Sequence, residues 1–128
     1  MDTDPLSTLE KLPNLTILVL DEHCFTGVKL TCHAMGFPKL KSLYIGYSAN
    51  LEMWDVENGA MPHLCYLTIY NCAILKMIPD GLRFLTSLEE LVIRRMPEEF
   101  VIRVEVCADG EEGEDFDKIR HIPDVLIQ

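Results

Sequence analysis

Met61-Pro-His-Leu64-Cys-Tyr-Leu67-Thr-Ile69 is followed 24 residues later by Leu85-Thr-Ser-Leu88-Glu-Glu-Leu91-Val-Ile93, and reading the two together decides how the chain is built. Two upstream segments superimpose on them: Leu12-Pro-Asn-Leu15-Thr-Ile-Leu18-Val-Leu20 and Phe37-Pro-Lys-Leu40-Lys-Ser-Leu43-Tyr-Ile45. The anchor leucines Leu15, Leu40, Leu64 and Leu88 are spaced by 25, 24 and 24 residues. An amphipathic helix repeats its apolar stripe every ~3.6 residues and has no such superperiod. Each unit ends in alternation, Leu18-x-Leu20, Leu43-x-Ile45, Leu67-x-Ile69 and Leu91-x-Ile93, the period of a short strand with one buried face.

This period and template are those of a leucine-rich repeat. The expected fold is therefore an α/β leucine-rich-repeat solenoid, with a short curved parallel sheet of about four to five strands and irregular or short helical convex segments. Strands are expected near 15–20, 40–45, 64–69 and 88–93, within a repeat region 1–97. Pro13, Pro38 and Pro62 precede the anchors by two residues, where they fix the turn into the strand without removing a ladder donor; Thr86-Ser87 replaces the proline in the fourth unit. Leu51 and Trp54, then Leu75, Ile78, Leu82 and Leu85, supply a second apolar set on the return path.

The ends read differently. Nothing before Leu12 resembles a polar cap, so the chain reads as a piece of a longer array or a truncated one. Residues 98–128 read as a cap strand and an acidic, partly disordered tail: EFVIRVEV alternates like a last strand, CADGEEGEDFDKI is too acidic to bury much surface, and HIPDVLIQ either docks or frays.

The 128 residues carry 11 Lys and Arg against 21 Asp and Glu, a net charge of −10 that argues against nucleic acid and anionic membranes as partners. Nine of the acids lie between Glu98 and Asp117. No apolar run approaches the roughly 20 residues of a membrane span, and the start lacks signal-peptide character, which places the expected location in the cytoplasm. Five cysteines without paired spacing suit reduced, small buried side chains. His23-Cys24 and Cys32-His33 hold metal-ligand types, but adjacent ligands at both ends converge poorly on a tetrahedral ion, so no metal or cofactor is expected.

Outward positions on the strands form rows across the repeats: Ile17, Ser42, Tyr66 and Glu90; Val19, Tyr44, Thr68 and Val92; Asp21, Gly46, Tyr70 and Arg94; Glu22, Tyr47, Asn71 and Arg95. All four tyrosines, Tyr44, Tyr47, Tyr66 and Tyr70, fall on this face, where they either serve as a partner contact or simply pair across strands. Asp21 and Glu22 on one flank and Arg94 and Arg95 on the other make a charge gradient that orients a partner or is ordinary solvated surface. The candidate partner-binding set is thus Tyr44, Tyr47, Tyr66, Tyr70, Asp21, Glu22, Thr68, Asn71, Arg94 and Arg95. No catalytic set emerges: Glu89 and Glu90 point to opposite faces, the four histidines are scattered, and no phosphate-binding loop, nucleophile elbow or HExxH is present. The chain is not expected to be an enzyme.

Cys72 to Leu82 reads C-x-x-L-x-x-I-P-x-G-L, Leu85 to Leu91 reads L-T-S-L-E-E-L, and the chain closes on GEDFDKIRHIP. In these motifs the chain resembles the C-terminal repeats of plant coiled-coil-type nucleotide-binding leucine-rich-repeat (NLR) disease-resistance proteins, over nearly its whole length. The resemblance implies a protein-interaction module in innate immunity, recognising a pathogen effector or a guarded host protein and restraining the nucleotide-binding domain of a parent receptor. Ile-Pro-x-Gly occurs only once, at Ile78 to Gly81, unlike the extracellular plant repeat. The switching parts of such receptors are absent here, so nucleotide binding is not assigned to this chain. The alternatives are a substrate-recruiting repeat domain of a ubiquitin-ligase adaptor, although no F-box precedes the repeats, and a truncated remnant without activity of its own.

Overall fold

The structure, a computed structural model, describes residues 11–20, 28–47, 50–105, 110, 113 and 115–128. The alternating segments form strands at the repeat spacing: β1 (Ile17–Leu20), β3 (Ser42–Gly46), β5 (Tyr66–Tyr70) and β6 (Glu90–Arg94). With β7 (Asp124–Ile127) they make one five-stranded parallel sheet in the order β1-β3-β5-β6-β7. The chain is accordingly α/β, with a predominantly parallel sheet and one α-helix among the described residues.

These strands begin about two residues later than the apolar pattern suggests. The reason is the anchor leucine itself: Leu40, Leu64 and Leu88 donate their amides to Phe37, Met61 and Leu85 in tight turns, so those amides do not join the ladder. Leu40, Leu64 and Leu88 remain in the core, and Leu15 packs against it half-buried. In the fourth unit Thr86 stands where earlier units carry proline, and the next residue, Ser87, donates its Oγ–H to the Pro62 carbonyl at 3.0 Å.

On the return path β2 (Lys29–Cys32) and β4 (Met53–Val56) pair in parallel as a second, two-stranded sheet. Leu30, Cys32, Trp54 and Val56 turn inward from it to meet the leucines of the large sheet. Leu51, Leu75, Ile78, Leu82 and Leu85 are buried as the return-path pattern predicts. The third unit replaces the strand with a 3₁₀ turn, Asp80–Phe84, whose Gly81 lies so close to β4 that an added Cβ would collide with the Val56 carbonyl.

The expected cap strand over 98–106 is not a strand in its described part, residues 98–105. Glu98–Val104 forms α1, with Pro97 before it, Glu98 and Glu99 in its first turn and Arg103 in its last, charges that suit the helix dipole. Phe100 and Val104, four residues apart, are buried together while Ile102 is exposed. A strand would have put all three on one face. The sheet is instead completed by the closing segment: Leu91 pairs with Val125 and Ile93 with Ile127.

The acidic segment also differs from the expectation of a solvated or disordered tail in the part described. Asp115, Lys118 and Ile119 are buried. Gly113 and Asp115 donate their amides to the Glu105 and Arg103 carbonyls at 2.8 and 2.7 Å, and a side chain on Gly113 would strike the Ile102 and Arg103 carbonyls.

Candidate functional site

The strand pairing places the outward residues in register as the sequence rows predict: Ile17-Ser42-Tyr66-Glu90, Val19-Tyr44-Thr68-Val92 and Gly46-Tyr70-Arg94. β7 extends the first two rows with Asp124 and Leu126. Their neighbours Leu43, Ile45, Leu67, Ile69, Leu91 and Ile93 are buried, so alternation alone sends these residues to the open face.

Three of the four tyrosines gather at the end of this face where the strands finish. The Tyr44 and Tyr70 rings stack with centroids 6.3 Å apart, and the Tyr47 ring tilts against Tyr70 at 5.0 Å. Arg94 and Arg95 place their guanidinium carbons 5.6 and 5.8 Å from the centre of the Tyr70 ring. Both distances are within cation–π range. Tyr66, four residues before Tyr70 on the same strand, lies roughly 13 Å away at the strand rise and is outside this cluster. Thr68 lies half-buried between them.

Local backbone geometry sets the edge of the cluster. Tyr47, Asn71 and Arg95 each follow a strand and adopt a left-handed conformation, with φ of 53°, 51° and 52°. Each donates its amide to the next repeat, to Tyr70, Arg94 and Gln128 respectively, at 3.0 to 3.1 Å. The ladder is thereby carried one residue beyond the strands while the side chains turn aside. A hydrogen bond to Tyr70 raises the titration of the Tyr47 hydroxyl above its ordinary value, helped by desolvation and the neighbouring phenols and opposed by Arg95. Asp21 and Glu22, the acidic flank of the expected gradient, lie outside the described residues, as do His23 and Cys24. Among the described residues no group of His, Cys, Asp and Glu could hold a metal ion, and no helix is long and apolar enough to cross a membrane. Cys32 and Cys72 are buried, and Cys65 is half-buried.

No family model matches the chain. Individual proteins do. The probable disease resistance RPP8-like protein 4 of Arabidopsis thaliana is 46% identical over 98% of this chain. The disease resistance protein RPP8 of the same plant is 44% identical over the same share, and the putative disease resistance protein At1g59780 is 42% identical over 96%. The chain is homologous to one region of RPP8-like plant disease-resistance proteins. It spans about 13% of the length of these curated relatives.

Two of the motifs that carry the resemblance are bonded to each other. Asp115 of the closing GEDFDKIRHIP accepts the amide of Ile78 in the Ile-Pro-x-Gly turn at 3.3 Å, and Lys118 Nζ donates to the Ile78 carbonyl at 2.8 Å. Arg103 of α1 completes the clamp with Nε 2.9 Å and Nη2 3.2 Å from the Asp115 carboxylate, and Lys118 lies 2.8 Å from it. Burial alone would raise the Asp115 carboxyl, but the bonds from Arg103, Lys118 and Ile78 outweigh it and hold the group below its ordinary value. Reading the acids as solvated missed this clamp, although the spacing Asp115-x-x-Lys118 was a signal for it. Leu126 on the open face was missed because its strand had no place in the repeat register.

Proposed function

We propose that this chain is a stretch of leucine-rich-repeat solenoid from a cytoplasmic plant NLR immune receptor, and that it works by binding protein on the open face of its large sheet rather than by catalysis. Parallel strands at the repeat spacing on one side, and β2 and β4 at the same spacing on the other, support a coil that completes one circuit per repeat. The relatives' names support the immune setting. The observation that carries the binding role is the face itself. Ile17, Val19, Tyr47, Tyr66 and Leu126 are exposed on or beside it, and buried leucines hold their strands in place. Exposed aromatic and apolar residues on a rigid scaffold are the usual material of binding hot spots.

Two partner classes fit a receptor of this type: a pathogen effector or guarded host protein, and the nucleotide-binding domain of the same receptor. Contact with the first signals infection, and contact with the second restrains the receptor until that signal arrives. The test uses the receptor that carries this chain, expressed in leaves. Thr68→Arg and Val92→Arg change the face, and Ile74→Arg changes an exposed residue in the loop after β5. The face variants are expected to trigger defence without a pathogen or to abolish the response to one, with Ile74→Arg silent. Normal responses from both face variants at normal protein levels would refute the proposal.

A further inference from the structure

The corner formed by Tyr44, Tyr47, Tyr70, Arg94 and Arg95 has a chemistry of its own. Both arginines are exposed, and among the described residues neither is paired with a carboxylate. The other three arginines of the chain, Arg83, Arg103 and Arg120, are each paired with an aspartate. Among the described residues the acidic side chains in the rows of this face, Glu90 and Asp124, sit at the opposite ends of their strands, roughly 13 Å along the chain direction. A guanidinium held over an aromatic ring keeps its N–H edges free, and those edges fit a carboxylate fork.

The corner is built rather than incidental. Gly46 is its floor: a Cβ there would lie 2.7 Å from Tyr44 Cε1, so the absent side chain is what lets the Tyr44 ring lean across toward Tyr70. Tyr47 and Arg95 hold left-handed backbone that glycine or asparagine would adopt with less strain. The row beside the corner, Tyr44-Thr68-Val92-Leu126, is largely apolar and runs across the strands.

We propose that this corner docks an acidic peptide segment of a partner protein, its carboxylates on Arg94 and Arg95 and its apolar side chains along Thr68, Val92 and Leu126. Charge complementarity selects this occupant. A single-stranded nucleic acid could also stack on tyrosines, but the net charge of −10 opposes a polyanionic backbone that extends past two arginines. The inference rests on the open face being the partner surface.

The experiment measures fluorescence anisotropy of labelled probes with the full chain. The probes are a peptide of glutamate, leucine and serine, its glutamine counterpart, and an oligouridylate. The acidic peptide is expected to bind at least about tenfold more tightly than the glutamine peptide, with affinity falling as salt rises. The double variant Arg94→Gln, Arg95→Gln is expected to remove that advantage at unchanged thermal stability. Equal binding of both peptides, lost in Val92→Asp, would overturn the charge assignment and leave the binding face intact. Tighter binding of the oligouridylate, or no binding of the acidic peptide, would overturn the inference, while the leaf assay decides the face separately.

Discussion

Replacing Asp115 with asparagine keeps the shape of the side chain and removes its charge, which leaves two cations facing a neutral amide. In the native fold this carboxylate, 1% exposed, accepts bonds from Arg103, Lys118 and the Ile78 amide. Removing one member of a buried ion pair strands the other charge in a poor solvent and costs about 3–5 kcal/mol. Two features place the expected loss at the lower end. The Arg103 side chain is 26% exposed, and Lys118 keeps Asp80 at 3.1 Å and the Ile78 carbonyl at 2.8 Å. The expectation is a loss of about 3 kcal/mol, or roughly 10 °C in Tm for a chain of this size. Because the folded-state value of Asp115 is depressed, its contribution is fully present above the unfolded carboxyl value near ~3.9 and disappears as pH falls through the lower folded value. Urea and thermal unfolding followed by circular dichroism, at neutral pH and across the acid limb, measure both effects, with Asp117→Asn as control. Asp117 pairs with Arg120 at the surface, so that control should lose less than about 0.5 kcal/mol. An Asp115→Asn protein no less stable than the control, or one with the same acid limb as the parent, would refute the reasoning.

Leu67→Ala removes a fully buried side chain between Leu43 and Leu91 and should cost about 2–5 kcal/mol in the same urea assay, whereas Tyr66→Ala beside it should unfold within about 1 kcal/mol of the parent. Gly81→Ala forces a methyl group into the Val56 carbonyl and should destabilise by about 1–3 kcal/mol, seen as a lower urea midpoint; a neutral result would mean that the turn is not packed as described. Tyr70→Phe removes the partner that raises Tyr47, so the Tyr47 phenol, followed by NMR of labelled tyrosine, should titrate at lower pH than in the parent. An unchanged titration would show that the two hydroxyls are not bonded in solution.

The strand registers were legible because identical positions recur at 25, 24 and 24 residues, and a recurring spacing fixes neighbours without knowledge of any contact. The second sheet was harder to see: Leu30-x-Cys32 and Trp54-x-Val56 alternate, but for too few residues to stand out from an irregular return path. The pattern EFVIRVEV suits either period, since Phe100 and Val104 share a face in a strand and in a helix; burial of Ile102 would have separated them, and burial is a tertiary fact. The acidic tail misled for a related reason. Composition counts charges one at a time, whereas Asp115 is buried because Arg103 and Lys118, 12 and 3 residues away, neutralise it together. At the candidate site the row positions of the tyrosines and arginines followed from the register. The gathering of Tyr44, Tyr47 and Tyr70 and the separation of Tyr66 depended on side-chain geometry at the strand ends.

Tyr66 pairs with Glu90, 24 residues on, but Glu90 pairs with Asp124, 34 residues on. The step from β6 to β7 is ten residues longer than the step from β5 to β6, yet β7 pairs in phase, with Val125 and Ile127 beside Leu91 and Ile93. Path length around the outside and alignment on the inside are thus separate variables. A lineage can lengthen, shorten or recharge the outer path between α1 and β7 without turning a single residue of the open face, provided the clamp at Ile78 survives. Diversity in that path and constancy of the face can then be selected independently.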